Sequence, residues 1–207
     1  ITQATLGAAL GEVLLGRKIG NKGAVLGAII ATIPDLDVAL LPFYSELERI
    51  SIHRGFSHSI IFSFLGAFLI AFILSKIKWT RNIKYSRLWL FTWLTLFTHI
   101  LLDAFTSYGT QLFLPFSNNR VSFESINIVD PVYTIPLLVG VIFSIWFFRK
   151  KTNRRMYSKI GLGISTLYLL STLWIKQSVN QKFDTQLKTE NIAYSDLLTV
   201  PVKLGSL

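Results

Sequence analysis

Uncharged apolar runs long enough to cross a bilayer constrain this chain more than any other feature. Residues 59–75 (SIIFSFLGAFLIAFILS) hold 17 positions without a charge. Residues 131–148 (PVYTIPLLVGVIFSIWFF) are uncharged as well, 88–102 are apolar apart from Thr residues and His99, and 160–175 are apolar with small Gly, Ser and Thr interruptions. A fifth run, 23–43, carries Asp35 and Asp37 beside Pro34. At about 1.5 Å per residue, runs of this kind reach roughly 25 to 32 Å, near the hydrocarbon thickness of a membrane. The expected fold class is all-α, a polytopic membrane protein with about five transmembrane helices. Residues 1–16, small and mildly apolar, are expected as an N-terminal interfacial or re-entrant helix.

Composition agrees. The 207 residues are 51% hydrophobic and only 15% charged, which excludes a disordered chain. The net charge of +10 raises the question of nucleic acid, and the placement of the charges answers it. Arg17, Lys18 and Lys22 precede the first run, five Lys and Arg lie within 76–87, and six lie within 149–159, so 14 of 21 fall on one side. Ten of the eleven acids fall on the other side or at the ends of runs facing it, with Glu12 the exception. Such asymmetry marks a cytoplasmic face. The basic loops are topology signals that also suit anionic lipid headgroups, and no nucleic-acid binding is expected. A single membrane-embedded domain is expected over 1–178. The polar segment 179–207 is expected on the outer side, as the start of a further region.

That topology brings all three histidines to the outer end. His53 and His58 lie in HRGFSHS, and His99 lies in THILLDAFTSYG, four residues before Asp103. Positions i and i+4 share a helix face, so His99 and Asp103 can address one centre. Asp35 and Asp37 sit in IPDLD, where Pro34 removes a helix donor and predicts a kink or local unwinding. Asp35, Asp37, His53, His58, His99 and Asp103 thus converge at one depth as candidate metal ligands. Carboxylates inside a membrane are costly and mark a site or a buried partner, and two separated by one residue repel unless a proton or cation intervenes. With no cysteine in the chain, hard oxygen and imidazole ligands suit Zn²⁺, Mn²⁺ or Fe²⁺. Six ligands are enough for one ion or for two bridged by the Asp pair.

Hydrolysis is the chemistry most available to such a centre. Asp37 and His58 are candidate catalytic groups, one Asp or His acting as general base, and Arg54 is placed to hold an anion such as a phosphate. The alternative for Arg54 is a salt bridge with Glu46 or Glu48. Asp35 can instead pair with Arg54, and Asp103 can accept from Thr106 or Ser107. Gly55 is expected to permit a sharp turn between the histidines, and Asp130 to cap the helix starting at Pro131.

Together TQATLGAALGEVLLG, PDLD, HRGFSHS, THILLDAFTSYGTQLFLPFS and NIVDPVYTIPLL, covering about residues 1–138, resemble the YdjM-like family of bacterial inner-membrane proteins regarded as metal-dependent hydrolases. The resemblance implies a multi-pass inner-membrane protein distantly related to zinc-dependent phospholipase C and nuclease-like enzymes, with some members under LexA control. It carries Asp35, Asp37, His53, His58, His99 and Asp103 over as family site residues. The resulting expectation is a hydrolase acting on a phosphoester, in a lipid or a nucleotide, at the outer face of the inner membrane. A metal or proton transporter and a non-catalytic scaffold with a structural metal stay open beside it.

Overall fold

The computed structural model describes residues 1–45, 53–194 and 197–201. Among the described residues six α-helices run up and down: α1 (Thr2–Ile19), α2 (Lys22–Ala31), α3 (Ile60–Lys76), α4 (Tyr85–Ala104), α5 (Pro131–Ile142) and α6 (Arg155–Thr189). A 3-10 helix, Pro34–Phe43, follows α2, a short one, Phe56–His58, precedes α3, and a π-helical turn, Phe143–Phe147, ends α5. Pro34 breaks the first apolar run as its missing donor predicts: α2 stops at Ala31 and the chain bends by 46° into the 3-10 segment. Asp130 caps α5, accepting from the Val132 and Tyr133 amides. The loop between α4 and α5 folds back over one end of the bundle, pinned by isolated bridges Thr106–Ile126 and Thr110–Val121.

Helix length and composition support fewer crossings than hydropathy blocks predict. Among the described residues α6 alone is long and apolar enough to cross a membrane, and α2 with its 3-10 continuation makes a second if the bent pair is one span. α3, and α5 with its π turn, are shorter apolar helices. The physical reason is that three of these runs are interrupted, by Pro34, by the π turn, and in α4 by Thr, His and Asp facing inward, while α3 is unbroken but only 17 residues long. α6, in turn, stays helical through Thr189, well past the end of its apolar run.

Of the two expectations for the N-terminal helix, interfacial or re-entrant, burial of α1 corrects the interfacial one. It packs against α2, α4, α5 and α6, burying Leu6, Ala8, Ala9 and Leu15. Gly7 and Gly11 face Gly27 and Gly23 of the antiparallel α2 so closely that a Cβ on any of them would overlap the opposite backbone. Spacing small residues by four lets two backbones meet. Glu12 is completely buried, and Arg154 donates to both its oxygens, from Nε at 2.7 Å and Nη2 at 2.6 Å. Arg154 Nη2 also donates to Asn21 Oδ1 at 2.7 Å, tying α1, α2 and the start of α6 together. Removing one member of such a pair strands a buried charge, so Arg154→Met is expected to cost about 3–5 kcal/mol. The double variant Glu12→Leu/Arg154→Met should recover most of that in denaturation of the detergent-solubilised protein.

Candidate metal centre

Three elements deliver four ligands to one point at the end of the bundle away from Glu12. The break at Pro34 turns Asp35 toward it from the 3-10 helix. His58 sits immediately before Ser59, whose side chain caps α3 by accepting from the Phe62 amide at 3.0 Å. His99 and Asp103 occupy one face of the last turns of α4, with Nε2 and Oδ2 3.6 Å apart. His58 Nε2 lies 3.3 Å from His99 Nε2, 3.5 Å from Asp35 Oδ1 and 3.2 Å from Asp103 Oδ2. His99 Nε2 lies 3.4 Å from Asp35 Oδ1. These four ligand atoms fall within 4.8 Å of one another, and His58, His99 and Asp103 are buried.

The polar partners around the cluster leave those four atoms facing each other. His99 Nδ1 is 2.5 Å from the Ala31 carbonyl, so that nitrogen carries the hydrogen and a neutral ring leaves Nε2 as a lone pair. His58 Nδ1 meets Ser57 Oγ at 2.9 Å and Asp37 Oδ2 at 3.4 Å. Asp103 Oδ1 accepts from Gln3 Nε2 at 2.5 Å and lies 3.5 Å from Arg54 Nη2. Asp103 Oδ2 is buried without a hydrogen-bond donor. Two imidazole nitrogens and two carboxylate oxygens so placed need a cation, and outer contacts that orient each ligand are the usual companions of a metal site. In the metal-free protein a proton serves: burial alone would push the His58 imidazolium down, but Asp103, Asp35 and Asp37 outweigh it and raise the pKa to about 10.

Asp37 and His53 stand behind this cluster. A 3-10 helix turns about 120° per residue, so carboxylates two positions apart diverge, and the His58 ring lies between them. Asp37 Oδ1 meets His53 Nδ1 at 3.2 Å, and its Oδ2 accepts from the Arg54 amide at 3.0 Å and from Ser57 Oγ at 3.1 Å. The repulsion expected of the Asp pair is thereby avoided, and among the described residues the four-ligand group is the one metal-ligand cluster found.

Arg54 turns the chain between the histidines. The left-handed conformation falls on Arg54 itself, with φ 59°, while Gly55 has φ −87° and ψ −124°. A bulky residue with positive φ is held there by its surroundings, commonly at functional sites. Its buried guanidinium donates to Thr106 Oγ1 at 2.8 Å besides approaching Asp103. No Asp35–Arg54 ion pair forms among the described residues, Thr106 bonds the Asp103 backbone carbonyl rather than its carboxylate, and Glu46 and Glu48 lie outside the described residues. A cavity of about 200 Å³ opens beside the cluster, lined by Gln3, Asp35, Arg54, Asp103 and Asn127 among others. The Asp35 side chain, 40% exposed, is the ligand on its open side.

Sequence reasoning missed Gln3, Ser57 and Arg120. Arg120 reaches over the site, donating to the His53 carbonyl at 3.0 Å, and its guanidinium pKa is lowered by burial and by Arg54. Gln3 gave no signal at all, since nothing local ties residue 3 to residue 103.

The model of the YdjM inner membrane protein family matches residues 1–179. The chain belongs to the YdjM family. Two curated relatives are similar over most of this region. The uncharacterized protein YfhP of Bacillus subtilis is 29% identical over 197 residues, covering 91% of this chain and 59% of YfhP. The inner membrane protein YbcI of Escherichia coli is 34% identical over 122 residues, covering 58% of this chain and 69% of YbcI. The chain therefore spans less than two thirds of the length of YfhP. No solved structure matches it. All four clustered residues lie inside the matched family region, as do Asp37, His53 and Arg54.

Proposed function

We propose that this YdjM-family membrane protein is a multi-pass protein of the bacterial inner membrane that holds a divalent metal at its outer face and hydrolyses a phosphoester, in a lipid or a nucleotide. The carrying observation is the convergence of two Nε2 atoms and two carboxylate oxygens, one of them buried without a donor, beside an open cavity. Five of the six distances among these atoms are 3.2–3.6 Å, and all lie within 4.8 Å, close to the spacing that tetrahedral zinc requires of ligands at about 2.0–2.2 Å. Zinc is accordingly the first choice, with manganese and iron compatible in ligand type. When bound, such an ion supplies Lewis acidity and acidifies water. Asp37 and Ser57 hold His58 in orientation, and Arg54, with Arg120 nearby, supplies charge for an anionic phosphoryl group.

Membrane residence is supported by the family and by an apolar belt. Phe64, Leu65, Phe68, Leu69, Phe72 and Ile73 of α3 are exposed, as are Ile135, Leu138 and Val139 of α5 and Ile160, Ile164 and Leu167 of α6. The 14 cations assigned to the opposite end support a cytoplasmic position for it. The proposed embedded domain is 1–178, with 179–207 outside. A transport path would spread its ligands through the depth of the bundle, and this cluster lies at one end.

A structural metal in a scaffold is the second reading, favoured by the four protein ligands, which are enough to close a tetrahedral shell. Exposure of Asp35 to the cavity favours the hydrolase. The deciding experiment assays metal-loaded protein in detergent against phosphatidic acid, a nucleoside monophosphate and an aryl phosphate. Turnover that falls at least about 100-fold in Asp35→Ala, with insertion intact, is expected for a catalytic ligand. Stoichiometric metal without turnover on any substrate class would leave the scaffold.

A further inference from the structure

At the end of the bundle opposite the metal centre, a second cavity of about 530 Å³ gathers Arg17 from α1, Lys84 and Arg87 at the start of α4, and Arg155 at the start of α6. Arg155 Nη1 donates to the Val13 carbonyl at 3.1 Å, and none of the four cations has an acidic partner among the described residues. Glu12, the one acid that topology assigns to this end, is consumed by Arg154. α4 and α6 both begin here, without a side-chain cap and without an acid in the first turn. Each therefore turns the positive end of its dipole toward the cavity. The rest of the lining includes Val13, Leu14 and Leu90, so the floor beneath the cations is apolar.

We infer that this cavity is a binding site for one anionic glycerophospholipid, whose phosphate sits among Arg17, Lys84, Arg87 and Arg155 and whose glycerol and first methylenes lie on Val13, Leu14 and Leu90. Charge complementarity selects an anion, and the apolar floor selects a lipid over a free phosphate. Basic cavities between helices at a cytoplasmic face are suited to anionic headgroups. The inference rests on the proposed membrane crossing, which sets this cavity at headgroup depth, and is independent of the hydrolase.

The test is native mass spectrometry of the full chain in neutral micelles doped with phosphatidylglycerol or phosphatidylcholine. Wild type is expected to retain one phosphatidylglycerol, at least about tenfold in preference to phosphatidylcholine. Arg17→Gln/Arg87→Gln should lose that preference about tenfold, while Lys150→Gln/Lys151→Gln, basic positions outside the cavity, should keep it. Single Lys84→Gln, at an exposed position, provides a milder loss should the double variant elute as aggregate. Equal losses in both double variants, no discrimination between the lipids, or displacement by millimolar inorganic phosphate would overturn the lipid site. Metal content of the same samples reports the Asp/His centre separately, so failure there is distinguishable.

Discussion

Asp103→Ala is expected to lose the proposed divalent metal when purified beside wild type, with at least a 100-fold drop in affinity, about 2.7 kcal/mol or more. Asp103 supplies Oδ2, buried without a donor and 3.2 Å from His58 Nε2, so its loss leaves Asp35 as the one carboxylate of the four-ligand group. Gln3→Ala should act through Oδ1, which it holds at 2.5 Å, and weaken binding about 10- to 100-fold while leaving all four ligands. Elemental mass spectrometry after dialysis against graded chelator separates the two. Equal metal retention in wild type and Asp103→Ala would remove the centre. Loading also expels the proton that His58 holds up to a pH of about 10, so uptake should strengthen with rising pH, by about tenfold per unit for one proton. An affinity flat between pH 6 and 8 would contradict that competition.

Gly27→Val should damage both the fold and the centre. A Cβ there meets the Gly7 carbonyl, which is backbone and cannot rotate away, so α1 and α2 must part. Overpacking of this kind costs about 1–3 kcal/mol and more where backbone must move. Damage extends to the metal because Ala31, one turn further along α2, fixes the His99 ring, and Gln3 on α1 fixes Asp103. Thermal unfolding in detergent is expected to drop by several degrees with metal content falling alongside it. An unchanged transition would mean that the close backbone approach is unnecessary.

Much of the centre was legible because its signals are local. The i, i+4 pair His99 and Asp103, the break at Pro34 and the Asp130 cap each follow from a few adjacent residues. The end of the bundle at which the ligands gather follows from apolar runs and the Lys/Arg asymmetry. Two signals were present and unread: the four-residue spacing of Gly7 and Gly11, repeated at Gly23 and Gly27, and an acid, Glu12, within an apolar helix. Both mark α1 as a core helix.

The division between four clustered atoms and the two residues behind them was beyond sequence. Alternation and spacing name residues that share an end or a face, and here they named Asp35, Asp37, His53, His58, His99 and Asp103 alike. Which oxygen or nitrogen points inward depends on contacts between segments far apart in the chain: Ala31 with His99, Gln3 with Asp103, Asp37 with His58. Side-chain hydrogen bonds act over about 3 Å, so their partners are decided only when the helices have packed. The amino-acid sequence by itself determined the helical class, the apolar runs and the chemistry available at one end. Tertiary structure alone decided that Arg54 and Gln3 brace Asp103, and that four ligand atoms meet at one point.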